Sequence, residues 1–475
     1  MTAEKVNNMN KRYSTIKIII LPVLFVLLAL VFTGAKSSSG SLSLPSVERT
    51  ITEKGSKFFF IKDDLPLFSV TLSFNYGQLY EDEKTAGLGT LMASCMSIAG
   101  SEKYPGNKLH EYVESMGGTV SVNSSWESVT VSITVLHRFS AQAMNVLADL
   151  VMNPRFDEDS FETAKSLTLD GIRRLFDEPA DIAFEKAREV IFGGKGYGSV
   201  ATVKGVSAFT VDDVKALSQK CFTAKNLTAG IVYFGNYNET SNLVISALNG
   251  LSAGTALDYD TDADSIKNNI RSKRDIIFLY PKDIPQATIV AGTLAPAVLD
   301  KDQMPLALMN YILGGGSFNS RLMDEIRVKR GLAYSVGSVV RLRARTGVFL
   351  SYVQVASENA PLALSLLVEN INTMAKTNVS ESELTWAKSS ISNSYIFGFD
   401  TPVNVLSKYI NRSIYSLPDD YYDTYLEKLN KVEADEISSA TTTMLESGLI
   451  RLVVGSKSLI PELEKLGRVE VLNAD

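Results

Sequence analysis

The stretch YILGGGSFNSRLMDEIRVKRGLAYSVGS, from Tyr311 to Ser338, sets the pattern for the second half of the chain. It begins at the end of an apolar helix, turns at Gly314–Gly316 and continues as a helix rich in charged residues. Gly331 predicts the end of that helix, because glycine enters the left-handed conformation at low cost. Leu332–Val336 then has the composition of a strand. The stretch therefore places a basic helix end beside Tyr334.

Composition limits the classes of function. A chain of 475 residues is too long for one core and indicates two or more domains. A net charge of −6 argues against nucleic acid as a general partner. With only two cysteines, Cys95 and Cys221, the chain has no disulfide framework and no thiolate metal cluster. Its two histidines, His110 and His137, lie far apart in sequence and further restrict metal chemistry.

The first 45 residues have the pattern of an export signal. Basic residues precede an apolar run from Ile18 to Phe32. Residues 1–35 fit either a signal peptide or an uncleaved membrane anchor, since Thr33–Ala35 offers small residues for cleavage. Residues 36–45 form a polar linker. We expect an exported protein, periplasmic or anchored in the cell membrane, with its domains outside the cytoplasm.

Beyond residue 46 the chain alternates between strand and helix patterns. Period-two alternation predicts strands within 49–61, 68–76 and 120–136, and helical spacing predicts helices at 88–99, 108–115, 140–152, 159–175 and 181–191. Asn153-Pro154 ends the third of these helices, because the residue before proline avoids the helical region.

An internal repeat decides the domain count. Three short segments recur, each 223 positions later: Phe176–Pro179 as Phe399–Pro402, Ala164–Ser166 as Ala387–Ser389, and Val211–Val214 as Ala434–Ile437. Three matches at one offset indicate two copies of one domain. We predict domains at 46–251 and 276–475, joined by a polar linker at 252–275.

This duplicated domain resembles the insulinase/pitrilysin metallopeptidases, which include the mitochondrial processing peptidases. The order and spacing of several short motifs carry the resemblance: Lys84–Leu88, Glu114–Gly118, Ala148–Pro154, Gly235-Asn236, Asn310–Gly316, Ser320–Leu322 and Arg330–Val336. The resemblance implies an α+β fold of two tandem homologous α/β domains. Each domain would have an antiparallel-rich sheet with helices packed on one side.

Active members of that family carry an inverted zinc motif, His-x-x-Glu-His, on the first long helix. Alignment places Thr90 and Ser94 at the two histidines and Ala93 at the catalytic glutamate. The remaining glutamate ligand aligns with Gly171, and its usual glutamate companion aligns with Ala164. The resemblance therefore implies that this chain binds no zinc of its own.

The second copy keeps a different part of the family's pattern. Active members place an Arg and a Tyr seven residues apart in the second domain, facing the zinc, and Arg327 and Tyr334 match that spacing. Both can donate hydrogen bonds to a substrate carbonyl. By residue type alone, a solvated Arg327 and a sheet-filling Tyr334 are equally reasonable. The resemblance favours a pseudopeptidase subunit of a heterodimer, inactive alone and active with a homologous zinc-bearing partner on unfolded peptides.

Other readings stay open at this point. A non-catalytic scaffold or peptide-binding protein of the cell envelope could have the same fold. His110-Glu111 suggests a zincin helix, but the second histidine would fall on Glu114, so a place on an amphipathic helix is favoured. Gly314–Gly316 lacks the Lys-Ser/Thr of a phosphate loop and is expected to be a turn. No nucleophile constellation supports an independent hydrolase.

Overall fold

The computed structural model describes residues 46–257, 259 and 262–473. The predicted signal peptide or anchor (1–35) and the polar linker after it lie outside the described residues. Within the described residues, none of the helices is long and apolar enough to cross a membrane. Two six-stranded mixed sheets form the framework, one in each half of the chain. The expectation of two tandem α/β domains is confirmed.

The first sheet has the strand order β1-β2-β6-β3-β5-β4, in which only β2 and β6 are parallel neighbours. Its strands are Glu48–Ile51 (β1), Lys57–Lys62 (β2), Leu67–Asn75 (β3), Thr119–Ser124 (β4), Ser128–Leu136 (β5) and Leu227–Tyr233 (β6). The helices of this half are Leu88–Ala99 (α1), Lys108–Ser115 (α2), Ser140–Met152 (α3), Glu158–Leu175 (α4), Pro179–Phe192 (α5), Val203–Ala208 (α6), Val211–Cys221 (α7) and Tyr237–Leu248 (α8).

The second sheet has the order β12-β7-β11-β8-β10-β9 and matches the first in five consecutive strands, β7-β11-β8-β10-β9. It differs at the outer strand, because β12 pairs parallel with β7 whereas β1 pairs antiparallel with β2. Its strands are Ile276–Pro281 (β7), Gln286–Ala295 (β8), Ala333–Arg341 (β9), Gly347–Ala356 (β10), Ile450–Gly455 (β11) and Arg468–Val471 (β12). The helices are Ala263–Lys273 (α9), Gln303–Asn310 (α10), Ala360–Lys376 (α11), Glu381–Tyr395 (α12), Pro402–Ile414 (α13), Tyr421–Lys431 (α14), Ala434–Leu445 (α15) and Ile460–Leu463 (α16).

The two halves exchange one helix each. Helix α5 of the first half packs on β8 and β11 of the second sheet, and α13 of the second half packs on β2 and β6 of the first. Gly230 in β6 makes room for this, since a Cβ there would lie 2.9 Å from Ile410 Cδ1. The repeated segments Phe176–Pro179 and Phe399–Pro402 lead into these two helices. The sequence predicted helices on one side of each sheet; the exchange adds a helix on the other face.

The exchange explains why central strands are apolar on both faces. All seven residues of β6 are buried, as expected for a strand covered on both sides. On the opposite sheet, Ile182, Ala187 and Ile191 of α5 share one buried cluster with residues of β7, β8 and β11. Removing apolar surface from water contributes about 25 cal/mol of stabilising free energy per Å². This burial therefore holds the two halves together and also stabilises each core.

The two cysteines belong to the core of the first half. Cys95 and Cys221 are both free and buried. Burial raises the pKa of the Cys95 thiol to about 12. These thiols are therefore held in their neutral form and fill core volume.

Candidate functional site

The residues aligned with the family's zinc motif lie on α1 and α4, which pack against each other. On α1, Thr90 is exposed, Ala93 is buried and Ser94 is partly buried, and on α4 Gly171 is exposed. The fold thus brings these predicted positions onto neighbouring helices, but their side chains offer only methyl and hydroxyl groups. Across the described ranges of the chain, no group of three or more His, Cys, Asp or Glu could hold a metal ion.

A cavity of about 260 Å³ lies beside these two helices. Thr90 and Ile172 line one part of it, and Trp126, Glu185 and Arg188 line another. Arg188 is buried and forms an ion pair with Glu185. The polar groups here satisfy one another rather than converging on a common point.

Glu81 builds the start of α1. Its carboxylate accepts hydrogen bonds from the backbone N–H groups of Gly87 and Gly89, each at 2.9 Å. Burial raises the pKa of Glu81. Gly87 has a φ of 89°, a left-handed conformation that suits glycine. The helix that carries the motif in active relatives is therefore well formed here without the motif's residues.

In the second half, irregular backbone is concentrated in the stretch from Tyr311 to Ser338. Two π-helical turns occur there, at Tyr311–Gly315 and Met323–Val328. Between them Ser317 has a φ of 58°, in the left-handed region. The sequence predicted two ordinary helices around a turn. A π-helical turn has one more residue in each hydrogen-bonded ring than an α-helix, and no local sequence pattern indicates it. Such turns and strained residues occur often at functional sites.

Helix α12 holds this stretch in place. Gly316 is required because a Cβ there would lie 2.3 Å from Trp386 Cη2, and the rings of Trp386 and Tyr311 lie 5.0 Å apart. Arg321 donates two hydrogen bonds to Glu383, at 2.6 and 2.9 Å. These bonds lower the pKa of Glu383 to about 2. Sequence reasoning missed Trp386 and Glu383, because nothing local links them to the stretch.

Arg327 lies in the second π-helical turn and is partly buried. Its guanidinium carbon is 5.5 Å from the centroid of the Phe318 ring, and Nη1 is 3.9 Å from Met323 Sδ. It forms no ion pair with any described residue, whereas its neighbours Lys329 and Arg330 pair with Asp324 and Glu325. Apart from the weak Nη1···Sδ hydrogen bond to Met323, the guanidinium of Arg327 has no hydrogen-bond acceptor among the described residues.

Tyr334 lies on β9, the edge strand of the second sheet, which packs against the second π-helical turn. Its side chain is 80% exposed. Within the described part of the chain its hydroxyl makes no hydrogen bond. Gly331 has a φ of 64°, which confirms the predicted glycine stop between Arg327 and Tyr334. The alternative that Tyr334 fills the sheet interior is wrong, because the side chain points to solvent.

His110 has a structural explanation. It lies on α2, and its Nε2 is 3.1 Å from the carbonyl oxygen of Ser97. The Leu109 and Val113 side chains of the same helix are buried. These contacts agree with the predicted place of His110 on an amphipathic helix.

Two models of one protein family match this chain. The model described as Insulinase (Peptidase family M16) matches residues 62–200, and that described as Peptidase M16 inactive domain matches residues 208–391. The first match includes β3, β4 and β5 of the first sheet, and the second includes β6 of the first sheet and β7–β10 of the second. The chain belongs to the peptidase M16 (insulinase) family, as its sequence motifs predicted.

Curated relatives carry two kinds of name. A Rickettsia felis protein called an uncharacterized zinc protease is 22% identical over 395 residues, which cover 82% of this chain and 93% of that protein. A Helicobacter pylori protein called non-peptidase homolog YmxG is 24% identical over 379 residues, covering 79% of this chain and 85% of that protein. Family membership alone therefore does not decide whether a chain is a peptidase.

Solved structures show the same fold. The crystal structure described as a peptidase M16 inactive domain from Pseudomonas fluorescens superposes with a TM-score of 0.77 and 22% identity, covering 87% of this chain and 98% of that one. A structure described as a protease from Helicobacter pylori gives a TM-score of 0.76 and 15% identity, covering 86% of this chain and all of that one (100%). At these identities the likeness concerns the fold alone.

Proposed function

We propose that this chain is the non-zinc subunit of a two-chain insulinase-type metalloendopeptidase. Arg327 and Tyr334 would complete the active site of a homologous partner that holds the zinc. The proposal is supported by the position of the two residues: Arg327 has no ion-pair partner among the described residues, and Tyr334, on the strand that packs against the same turn, is 80% exposed. A guanidinium and a phenol that are not engaged by their own chain can donate hydrogen bonds to another molecule.

The chemistry follows from these donors. A zinc ion held by the partner would activate the water that attacks the peptide carbonyl. Arg327 and Tyr334 would donate hydrogen bonds to the carbonyl oxygen and hold it as negative charge develops there. Neither residue needs to change its protonation state, because a guanidinium and a phenol are both donors at neutral pH. This chain's role would be to bind, orient and stabilise.

The substrate would be an unfolded peptide that adds to a sheet edge. Both β4 and β9 are edge strands, with one side of the ladder unpaired in the described structure. An extended peptide can form main-chain hydrogen bonds with such an edge regardless of its sequence. On β9 it would pass beside Tyr334. With an export signal at 1–35, the substrates would be peptides outside the cytoplasm.

A second candidate is a non-catalytic scaffold or peptide-binding protein of the cell envelope. It is favoured by the side chains at Thr90, Ala93, Ser94 and Gly171, none of which has the imidazole or carboxylate of a zinc ligand. One relative's name, non-peptidase homolog, points the same way. This candidate uses the same edge strands but gives Arg327 and Tyr334 no chemical task.

Variants of the pair separate the two candidates. Arg327→Ala and Tyr334→Phe chains would each be mixed with a zinc-bearing homologue from the same organism, then assayed for affinity capture and for peptide cleavage. The subunit proposal expects capture to be retained and cleavage to fall in both mixtures. If neither variant lowers cleavage, the pair has only a structural role.

A further inference from the structure

One buried carboxylate joins the two halves of the chain. Glu127 lies in the turn between β4 and β5 and is only 7% exposed. It accepts hydrogen bonds from the hydroxyls of Tyr197 and Tyr415, each at 2.6 Å, and from Arg343 Nη1 at 2.9 Å. The Arg343 guanidinium also donates to the Tyr415 hydroxyl at 3.0 Å. The carboxylate thus has three donors, two of them from the other half.

The two donors from the second half lie in a hairpin and just after an exchanged helix. Arg343 lies in the hairpin between β9 and β10, and Tyr415 directly follows the exchanged helix α13. Trp126, next to Glu127, lies between two guanidinium groups: Arg343 at 4.5 Å and Arg188 of the exchanged helix α5 at 4.4 Å. The pair Trp126 and Glu127, which we call the node, therefore contacts residues in or next to both exchanged helices and joins the β4–β5 hairpin to the β9–β10 hairpin.

Directional contacts join the halves at several places: Lys57 Nζ donates to Ser413 Oγ at 3.1 Å, and Lys282 Nζ donates to the Phe176 carbonyl oxygen at 2.7 Å. The interactions at Glu127 add an ion pair with a buried carboxylate. The exchanged helices adhere through apolar burial, which is strong but has no preferred direction. Charge-assisted hydrogen bonds are directional and short. Burial raises the pKa of Tyr415 to about 12, so its hydroxyl stays a donor at neutral pH. The hydrogen bonds and ion pair at Glu127 therefore add directional contacts at the β9–β10 hairpin to the apolar burial of the exchanged helices.

We infer that Glu127 is a latch that fixes the β9–β10 hairpin, and with it the edge strand carrying Tyr334, against the first half. The latch acts on orientation: when it is broken the halves stay joined through α5 and α13, but the hairpin and the end of α13 move more freely. This inference concerns the conformation of the chain and does not depend on the proposed peptidase role.

Two tyrosines provide a matched test. Tyr197 and Tyr415 donate to the same carboxylate at the same distance, but Tyr197 belongs to the first half and Tyr415 to the second. Hydrogen–deuterium exchange would be measured on the full chain with Tyr415→Phe and Tyr197→Phe. We expect Tyr415→Phe to speed exchange of the β9 and β10 amides near the hairpin about tenfold, with β3 unchanged. Tyr197→Phe should leave the hairpin amides within about twofold of the wild type.

A third variant covers the case in which Tyr415→Phe affects folding. Arg343→Lys keeps the positive charge but loses the planar stacking on Trp126, and it should reproduce the local increase in exchange at the hairpin. A tenfold change corresponds to about 1.4 kcal/mol of local opening free energy. Equal changes for both tyrosine variants, or exchange that rises equally in β3 and β9, would overturn the latch.

Discussion

The two halves of this chain share an order of elements but differ at the helix that follows their central strand. In the first half α1 is a regular helix, and its motif positions carry small, inert side chains. In the second half α10 runs into a π-helical turn, followed by Ser317 at a positive φ and by Arg327 without an ion-pair partner among the described residues. The first copy is thus regular and well packed at this point, whereas the second combines irregular backbone with the Arg327 on which the proposed function depends.

The largest effect should come from removing the guanidinium of Arg327. In the mixed complex with a zinc-bearing homologue, Arg327→Ala is expected to lower kcat/KM by roughly 10²–10³, the loss typical of one oxyanion donor. Steady-state cleavage of an unfolded peptide measures it. The control is Arg330→Ala, since Arg330 lies three residues away and already pairs with Glu325. Its kcat/KM should change by about twofold or less; a loss as large as that of Arg327→Ala would assign the effect to general surface charge.

The next effect contrasts one glycine from each half. At Gly316 a methyl group would meet Trp386 and the Tyr311 carbonyl oxygen, so Gly316→Ala should lower the free energy of unfolding by about 1–3 kcal/mol. At Gly171, in the interior of α4, nothing lies within 4 Å of an added Cβ. Gly171→Ala should raise stability by about 0.5–1 kcal/mol through helix propensity. Urea denaturation measures the unfolding free energy of both variants. If both substitutions change it in the same direction, the two glycines do not differ in packing as the structure indicates.

The smallest effect concerns the pH dependence of the Arg321–Glu383 ion pair, which joins the stretch Tyr311–Ser338 to α12. The Arg321 hydrogen bonds lower the pKa of Glu383 from its ordinary value of 4.5 to about 2. Because the folded pKa is depressed, this stabilisation is present above pH 4.5 and is lost as pH falls through about 2. The pair is partly exposed, so Arg321→Met should cost about 1 kcal/mol or less at pH 6.

Urea denaturation at pH 6 and at pH 2.5 would test this linkage. The difference in unfolding free energy between wild type and Arg321→Met should shrink at the lower pH. Arg173→Met, which breaks an exposed ion pair with Asp170 on α4, provides the control from the other half. If the loss of unfolding free energy in Arg321→Met is the same at both pH values, the Arg321 side chain does not stabilise the fold through the ionised Glu383.

The sequence predicted the elements of the fold better than it predicted the contacts between distant parts of the chain. The repeat at an offset of 223 and the Gly331 stop are visible directly in the sequence, and both predicted the structure correctly. The helix exchange depends on which sheet a helix meets, a property of tertiary packing. Glu127 lies 216 residues from Arg343 and 288 from Tyr415, so no window of sequence links them. The first π-helical turn contacts α12 and β9, and the second contacts β9, so their surroundings too are determined by tertiary packing.

We propose that this chain contributes Arg327 and Tyr334 to an active site whose metal is held by another chain. The most direct test of this claim is peptide cleavage measured for the purified chain alone, for a zinc-bearing homologue alone and for the two mixed, with and without EDTA. We predict EDTA-sensitive cleavage in the mixture, well above that of the homologue alone, and none from this chain by itself. EDTA-sensitive cleavage by the purified chain without a partner would contradict the claim.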